Sequence, residues 1–263
     1  MGHLICHRSE YQYVIRPASS ALPELPPWVF NPNMLREKKI LTRTASGRAT
    51  VWFFEYQGHR LILRHYWRGG LAARLTKDRF LWLGLHKTRP WVEMETLQNL
   101  QTVGMPVPRP VAARVCRDSH PLLYTADIIT VEIPAALPLP DFINSDLTDL
   151  NKKRVLFKVG VVLARLHAVG AQHTDLNVRN ILIDPAENVS VIDWDKGSVC
   201  TQGISSVNRN WKTRHRYLAE RSLSRLGRSI RKDPHLKDSH QKIYAQILDG
   251  YQSVNPLTEF DAK

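Results

Sequence analysis

The chain has 263 residues, of which 43% are hydrophobic and 23% are charged. These fractions are ordinary for a globular protein and exclude a disordered or collagen-like chain. No apolar run approaches the roughly 18 residues that a membrane span needs, and Met1–Glu10 contains no apolar signal core. We therefore expect a cytosolic protein without a transmembrane anchor.

The charge is less ordinary, because 37 Lys and Arg residues outnumber 24 Asp and Glu residues and give a net charge of +13. A balance this basic favours a polyanionic partner, such as nucleic acid, anionic lipid or a phosphorylated substrate. The excess is concentrated in Asn208–Lys237, where ten basic residues and two acidic residues give a net charge of +8.

The first half of the chain predicts a small, mainly β lobe over residues 35–133. Prolines between residues 17 and 33 predict that residues 1–34 form an irregular segment. Two strand-like runs, Ala49–Tyr56 and Arg60–Tyr66, are separated by a short hairpin signal. Apolar residues at helical spacing then predict one helix over Pro90–Val103, and two further strand-like runs follow it.

The second half predicts a mainly helical lobe over residues 134–263, which begins after a proline-rich connection. Its strongest signal is the amphipathic helix Asn151–Val169. Two short strands, Asn180–Asp184 and Val189–Asp193, follow this helix and are joined by a four-residue turn. From about Asn208 the chain reads as helical and basic.

Two segments of the second lobe carry the chemical signal. His173–Asn180 fits the kinase catalytic-loop pattern H-x-D-x-x-x-x-N, and Asp193 stands where kinases place the metal-binding D-F-G motif. Phosphoryl transfer needs a carboxylate that accepts the proton of the attacking hydroxyl, for which Asp175 is the candidate. It also needs oxygen ligands for Mg²⁺. The hairpin returns Asp193 beside Asn180, so these two residues are the candidate ligands.

Each of these residues has a plainer alternative, because Asp and Asn often serve as caps or turn residues. In the first lobe, Gly47 could lie in the loop that covers the ATP phosphates, although kinases usually have three glycines in this loop and only one is present here. Arg64 stands where the strand lysine of kinases lies, and Glu93 on the following helix is its expected partner, with Glu95 as the competing acid. The alternative is that Arg64 and Glu93 are solvated surface residues.

Together, four segments of the chain resemble the lipopolysaccharide kinase family. They are Leu63–Gly70, Gly104–Pro110, His173–Asn180 and Ile192–Gly197. The catalytic-loop match is common to kinase-like folds, and the first two segments narrow the resemblance to this family. It covers roughly residues 35–235.

The resemblance implies an α+β, protein-kinase-like bilobal fold with a small mainly-β lobe and a larger helical lobe. It implies Mg²⁺-dependent transfer of the γ-phosphoryl group of ATP to a hydroxyl, expected at the 4-position, of 3-deoxy-D-manno-octulosonic acid (Kdo) on lipid A. In this reading Asp175 is the catalytic base, Asn180 and Asp193 bind Mg²⁺, and Gly47, Arg64 and Glu93 serve ATP binding. Arg64 departs from the lysine of general kinases, and the two side chains are not interchangeable.

The implied site of action is the cytoplasmic face of the inner membrane of a Gram-negative bacterium, with the basic stretch held peripherally on the anionic surface. One rival reading is a kinase for another small molecule, of the aminoglycoside or choline type. The other is a basic nucleic-acid-binding protein, which would need aromatic side chains interleaved with the basic ones. Within Asn208–Lys237 only Trp211 and Tyr217 are aromatic, so no nucleic-acid partner is expected.

Overall fold

The structure is a computed structural model that describes residues 3–20, 22, 24–46, 50–68, 77–117, 122–199 and 209–254. The chain divides into two compact units. Unit 1 comprises Met1–Asn99 and Pro108–Glu132, and unit 2 comprises Leu100–Val107 and Ile133–Lys263. The short segment Leu100–Val107 thus groups with unit 2, whereas the sequence placed it in the first lobe.

The described strands are β1 (Leu4–Ser9), β2 (Gln12–Pro17), β3 (Leu41–Ser46), β4 (Thr50–Tyr56), β5 (His59–His65), β6 (Phe80–Leu81), β7 (Pro110–Arg117), β8 (Leu123–Val131), β9 (Leu137–Pro138), β10 (Ala171–Gln172), β11 (Ile181–Ile183), β12 (Val189–Val191) and β13 (Ser198–Val199). The described α-helices are α1 (Pro32–Glu37), α2 (Arg89–Thr102), α3 (Leu139–Ile143), α4 (Asp149–Ala168), α5 (Arg209–Lys232) and α6 (His240–Val254). A strand-rich first part and a helix-rich second part confirm the predicted α+β class.

The strands of unit 1 form an antiparallel sheet in the order β1-β2-β7-β8-β5-β4-β3, with β6 paired to β8. The predicted hairpin is present, because β4 and β5 pair from Tyr56 and His59 onward. Its two turn residues, Gln57 and Gly58, both have positive φ, at 49° and 74°. Such a turn matches the right-handed twist of the two strands and fixes the register that places Arg64 in β5.

The expectation of an irregular segment over residues 1–34 is wrong for its first half. β1 and β2 form a hairpin, and β2 pairs with β7. In β2 alternate side chains are buried, and Ile15 is fully enclosed. Pro17 is the last residue of β2, and the other prolines lie after the hairpin. The segment that contains them still contributes Leu22 and Phe30 to the core of unit 1. The short run of alternation was overlooked because polar residues surround it.

In unit 2, the long helices α4 and α6 approach each other through two glycines. α4 confirms the strongest helical prediction, and its apolar stripe is buried. A Cβ atom on Gly160 would overlap the carbonyl oxygen of Ile247, and one on Gly250 would overlap the carbonyl oxygen of Phe157. Both obstacles are backbone atoms, so the two helix backbones can come this close only where neither residue has a side chain.

We expect Gly160→Ala to destabilise the protein by about 1–3 kcal/mol, the usual effect of overpacking. Alanine favours a helix interior over glycine by about 0.8–1 kcal/mol, but the clash with the α6 backbone outweighs that gain. Gly227→Ala in α5 is the matched control, because its nearest obstacle is the Tyr244 ring at 3.2 Å, a side chain that can shift. Urea unfolding measures both variants, and equal stabilities would show that α4 and α6 do not pack this closely.

α5 confirms the prediction of a basic helix after Asn208. Its apolar side is buried in unit 2 through Leu223, Leu226 and Ile230. Basic residues occupy the exposed side, among them Arg228 and Arg231. Among the described helices, none is long and apolar enough to cross a membrane.

Candidate active site

His173 connects the two predicted catalytic segments of unit 2. Its Nε2 lies 2.9 Å from the carbonyl oxygen of Ile192, and its Nδ1 lies 3.3 Å from the amide nitrogen of Asp175. A carbonyl can only accept and an amide N–H can only donate, so Nε2 carries the proton and Nδ1 accepts. Burial lowers the pKa of His173, which favours this neutral form. One neutral imidazole therefore ties the backbone before Asp193 to the backbone of Asp175.

The loop after His173 is held by amide side chains that converge on one carbonyl. Asn177 and Asn180 each donate from Nδ2 to the carbonyl oxygen of Asp175, both at 3.0 Å. Asn177 also accepts from the N–H of Arg179 at 3.0 Å and so caps the short helical turn Val178–Asn180. These contacts use the main chain of Asp175. Its side chain is exposed, where a substrate hydroxyl can reach the carboxylate.

The hairpin of β11 and β12 brings Asn180 and Asp193 together, as the spacing predicted. Ile181 pairs with Val191, and the N–H of Ile192 donates to the carbonyl oxygen of Asn180 at 2.9 Å. Asp193 follows directly and has a φ of +66°. Non-glycine residues rarely adopt this left-handed conformation, although Asp does so more readily than most, and it often marks a functional site.

Trp194 explains how the chain holds Asp193 in that conformation. The indole is 1% exposed, donates from Nε1 to the Val191 carbonyl oxygen at 2.9 Å, and packs edge-on against the His173 ring at 4.8 Å between centroids. Gly197 is needed beside it, because a Cβ there would lie 2.5 Å from the Trp194 ring. In the sequence, Trp194 is only one residue of the segment Ile192–Gly197 that carries the family resemblance. Its contact with His173 depends on the fold and was not foreseen.

The donor set fits Mg²⁺ in its chemistry. Asn180 has an amide oxygen and Asp193 a carboxylate, and hard oxygen atoms are the ligands that Mg²⁺ prefers. Proteins usually hold this ion through one or two side chains, while water and substrate phosphates complete the octahedron. Asn180 and Asp193 are therefore the residues that would hold the ion.

In unit 1, the structure brings Arg64 and Glu93 together. Arg64 Nη2 donates to both carboxylate oxygens of Glu93 at 2.6 Å, and the Tyr66 hydroxyl donates to Glu93 Oε2 at 2.6 Å. Glu93 and Tyr66 are 3% and 1% exposed, whereas Glu95 is exposed. The predicted partner is thus in contact with Arg64, and the competing acid faces solvent.

Tyr66 is the residue of this cluster that the sequence reasoning missed. The Arg64 guanidinium lies over its ring, 4.8 Å from the centroid, so Tyr66 restrains both members of the pair. Its place two residues after Arg64 in the predicted strand-like run Arg60–Tyr66 was a usable signal, because alternate residues of a strand share a face. Gly47, the candidate phosphate cover, lies outside the described residues.

A loop that fits the kinase catalytic pattern, two oxygen-bearing side chains that could hold Mg²⁺ and an Arg–Glu pair in a strand-rich unit are the features of a kinase-like phosphotransferase. Comparison with known proteins agrees, because the sequence profile of the Lipopolysaccharide kinase (Kdo/WaaP) family matches residues 33–246. The chain belongs to this family. It is a kinase of lipopolysaccharide biosynthesis, and ATP is the phosphoryl donor that a kinase implies.

Curated relatives match over most of their length. A 3-deoxy-D-manno-octulosonic acid kinase of Vibrio vulnificus is 35% identical over 252 residues, which cover 95% of this chain and 94% of the relative. The protein of the same name from Vibrio cholerae is 36% identical over 213 residues, or 81% and 83% of the two chains. Among solved structures, WaaP in complex with acyl carrier protein is similar with a TM-score of 0.47 and 15% identity, covering 85% of this chain and 88% of that chain.

Proposed function

We propose that this kinase transfers the γ-phosphoryl group of ATP to Kdo on lipid A, at the 4-hydroxyl. The shared name of relatives at 35–36% identity supports the acceptor. The observation that carries the chemistry is the arrangement around His173, which joins Asp175 and the backbone before Asp193 through its two ring nitrogens. The choice of the 4-hydroxyl rests on the family resemblance.

In the proposed reaction, the Asp175 carboxylate orients the acceptor hydroxyl and accepts its proton. The hydroxyl oxygen forms a bond to the γ-phosphorus, the bond to the β–γ bridging oxygen breaks, and ADP leaves with the electron pair. Asn180 and Asp193 would hold Mg²⁺, which when bound neutralises charge on the β- and γ-phosphates. Arg64, held by Glu93, positions the phosphates of ATP in this proposal.

An acceptor panel tests this function. We expect ATP consumption with purified Kdo–lipid A and none above background with an aminoglycoside or with choline, which are the acceptors of the rival small-molecule kinases. ADP release measured with each acceptor at equal concentration decides between them. Turnover with an aminoglycoside or choline but not with Kdo–lipid A would overturn the proposed acceptor.

The Arg64–Glu93 pair gives a prediction for the Michaelis constant (KM) of ATP. Arg64→Gln and Glu93→Gln should each raise this KM, because each change loosens the guanidinium that positions the phosphates. The effects of mutating two residues in direct contact are generally not additive. The free-energy cost of the raised KM in the double variant should therefore be smaller than the sum of the costs in the two single variants, by about 0.5–3 kcal/mol. Glu95→Gln is the control and should match the parent. Strictly additive losses would mean that Arg64 and Glu93 act separately.

We also propose that the protein binds the anionic membrane surface peripherally through α5. Arg228, Arg231 and Lys232 are exposed on this helix. Basic side chains near an anionic leaflet contribute about 1 kcal/mol each, and the attraction fades over about 8 Å at physiological salt. Vesicles containing anionic lipid should therefore sediment the parent at low salt and release it at high salt. Changing these three residues to Gln should weaken sedimentation, and binding insensitive to salt and to these changes would contradict the proposal.

A further inference from the structure

A cavity of about 160 Å³, partly open to solvent, lies in unit 2 beside the start of the catalytic loop. His173 and Thr174 line it from the loop, and Arg221, Ser222 and Arg225 line it from α5. The volume is roughly ten times the minimum that one water molecule needs. It therefore has room for a carboxylate or phosphate group but not for a whole glycolipid.

The charged side chains that line this cavity among the described residues are all basic. Arg221 and Arg225 are four residues apart and so lie one above the other on the same face of α5. Among the described residues no Asp or Glu lines the cavity. Like charges at this spacing destabilise a helix, so an anion between the two guanidinium groups would relieve their repulsion.

Some other arginines of unit 2 form ion pairs with acidic side chains. Arg154 pairs with Glu187, and Arg179 pairs with Asp233. By contrast, neither Arg221 nor Arg225 forms an ion pair or a side-chain hydrogen bond within the part of the chain that the structure describes. Their guanidinium groups present planar sets of N–H donors suited to a carboxylate or a phosphate.

Ser222 provides an independent observation. It lies between the two arginines in sequence, lines the same cavity and is 8% exposed. Its Oγ is buried and has no hydrogen-bond partner among the described residues. Buried hydroxyl groups are nearly always hydrogen-bonded in folded proteins. A ligand with acceptor oxygens is the chemistry that an arginine pair and an orphaned hydroxyl share.

The cavity lies close to Asp175, the residue that the acceptor hydroxyl must reach. Thr174 lines it, and the next residue is Asp175, the proposed base, only about 3.8 Å further along the Cα trace. An acceptor hydroxyl must reach the Asp175 carboxylate. The proposed acceptor is a sugar acid on a phosphorylated lipid, so it bears oxyanions on the same molecule as that hydroxyl.

We propose that Arg221 and Arg225 form an oxyanion site that seats a carboxylate or phosphate of the acceptor beside the catalytic loop. This deepens the proposed function and rests on it. The arginines orient the acceptor and take no part in the proton transfer. They act as positioning residues, so their loss should affect KM for the acceptor rather than KM for ATP.

The test uses deacylated, water-soluble Kdo–lipid A, so that membrane binding plays no part. Arg221→Gln with Arg225→Gln should raise the KM for this acceptor at least ten-fold and leave the KM for ATP unchanged. Replacing both by Lys should recover part of the loss, because the charge returns without the planar fork. Arg216→Gln is the matched control, since Arg216 is exposed on α5 about 140° around the helix from Arg221. It should match the parent.

Two modified acceptors identify the oxyanion. If the carboxylate occupies the site, the methyl ester of the sugar acid should raise the KM of the parent and have little further effect on the double variant. If a phosphate occupies the site, an acceptor that lacks the lipid A phosphates should instead raise the KM of the parent and have little further effect on the double variant. An unchanged acceptor KM in the double Gln variant, with an active parent, would overturn the site and leave the proposed function standing.

Failure of the proposed function would look different. In that case the parent would not phosphorylate the Kdo acceptor at all. Titration calorimetry with inorganic phosphate, without ATP, then tests the site by itself. Heat of binding in the parent and in Arg216→Gln but not in the double Gln variant would support the oxyanion site, and equal binding in all three proteins would overturn it.

Discussion

Asp175→Asn is expected to lower kcat by about 10²–10⁴, the usual contribution of a general base. Asparagine keeps the shape of the side chain but cannot accept the proton of the acceptor hydroxyl. The structure gives a reason why folding should survive. The contacts that the loop makes with this residue go to its N–H and carbonyl oxygen, and its side chain is exposed.

Three measurements read out this variant: kcat from ADP release, the KM for ATP, and the melting temperature. We expect kcat to fall sharply, while the KM for ATP and the melting temperature stay close to those of the parent. Asp149→Asn is the matched control, because Asp149 is an exposed carboxylate at the start of α4, outside the catalytic loop. A kcat near that of the parent in Asp175→Asn would show that another group accepts the proton.

Asp193→Ala is expected to abolish Mg²⁺-dependent turnover. It should also weaken the binding of Mg-ATP more than the binding of metal-free ATP, because the carboxylate that we propose as a metal ligand is lost. Isothermal titration with ATP, with and without Mg²⁺, measures both constants. Identical Mg-ATP titration curves for variant and parent would refute a metal-binding role.

The backbone at Asp193 calls for a second variant. Its φ of +66° suits Asp and Asn better than Ala, since short polar side chains tolerate the left-handed region. Asp193→Asn keeps this tolerance and removes only the charge. If the metal is the cause, Asp193→Asn should lose much of the Mg²⁺-dependent affinity while it melts close to the parent. If strain is the cause, only Asp193→Ala should be impaired.

Much of the architecture could be predicted because its signals are local. The apolar stripe of α4, the hairpin turn between β4 and β5, and the spacing from Asp175 to Asn180 depend on residues that are close together in sequence. The pairing of Arg64 with Glu93 also followed from placing each on its element. In these cases local patterning and the final fold agree, as expected of a natural sequence.

The parts that could not be predicted depend on packing between distant segments. The β1–β2 hairpin becomes recognisable as part of the sheet only through its pairing with β7, about a hundred residues away. The glycines at the α4–α6 contact look unremarkable in sequence until Gly160 and Gly250 meet the opposite backbone. Likewise, Arg221 and Arg225 read as part of a solvated charged face, and only the packing of α5 beside His173 places them around a cavity.

Mass spectrometry of purified Kdo–lipid A after incubation with the protein and Mg-ATP tests the central claim most directly. The account predicts one added phosphate per acceptor, located on the Kdo residue by fragmentation, and at most a small fraction of this product with Asp175→Asn after the same incubation time. An acceptor of unchanged mass, or a phosphate found on the lipid A disaccharide instead of Kdo, would contradict it.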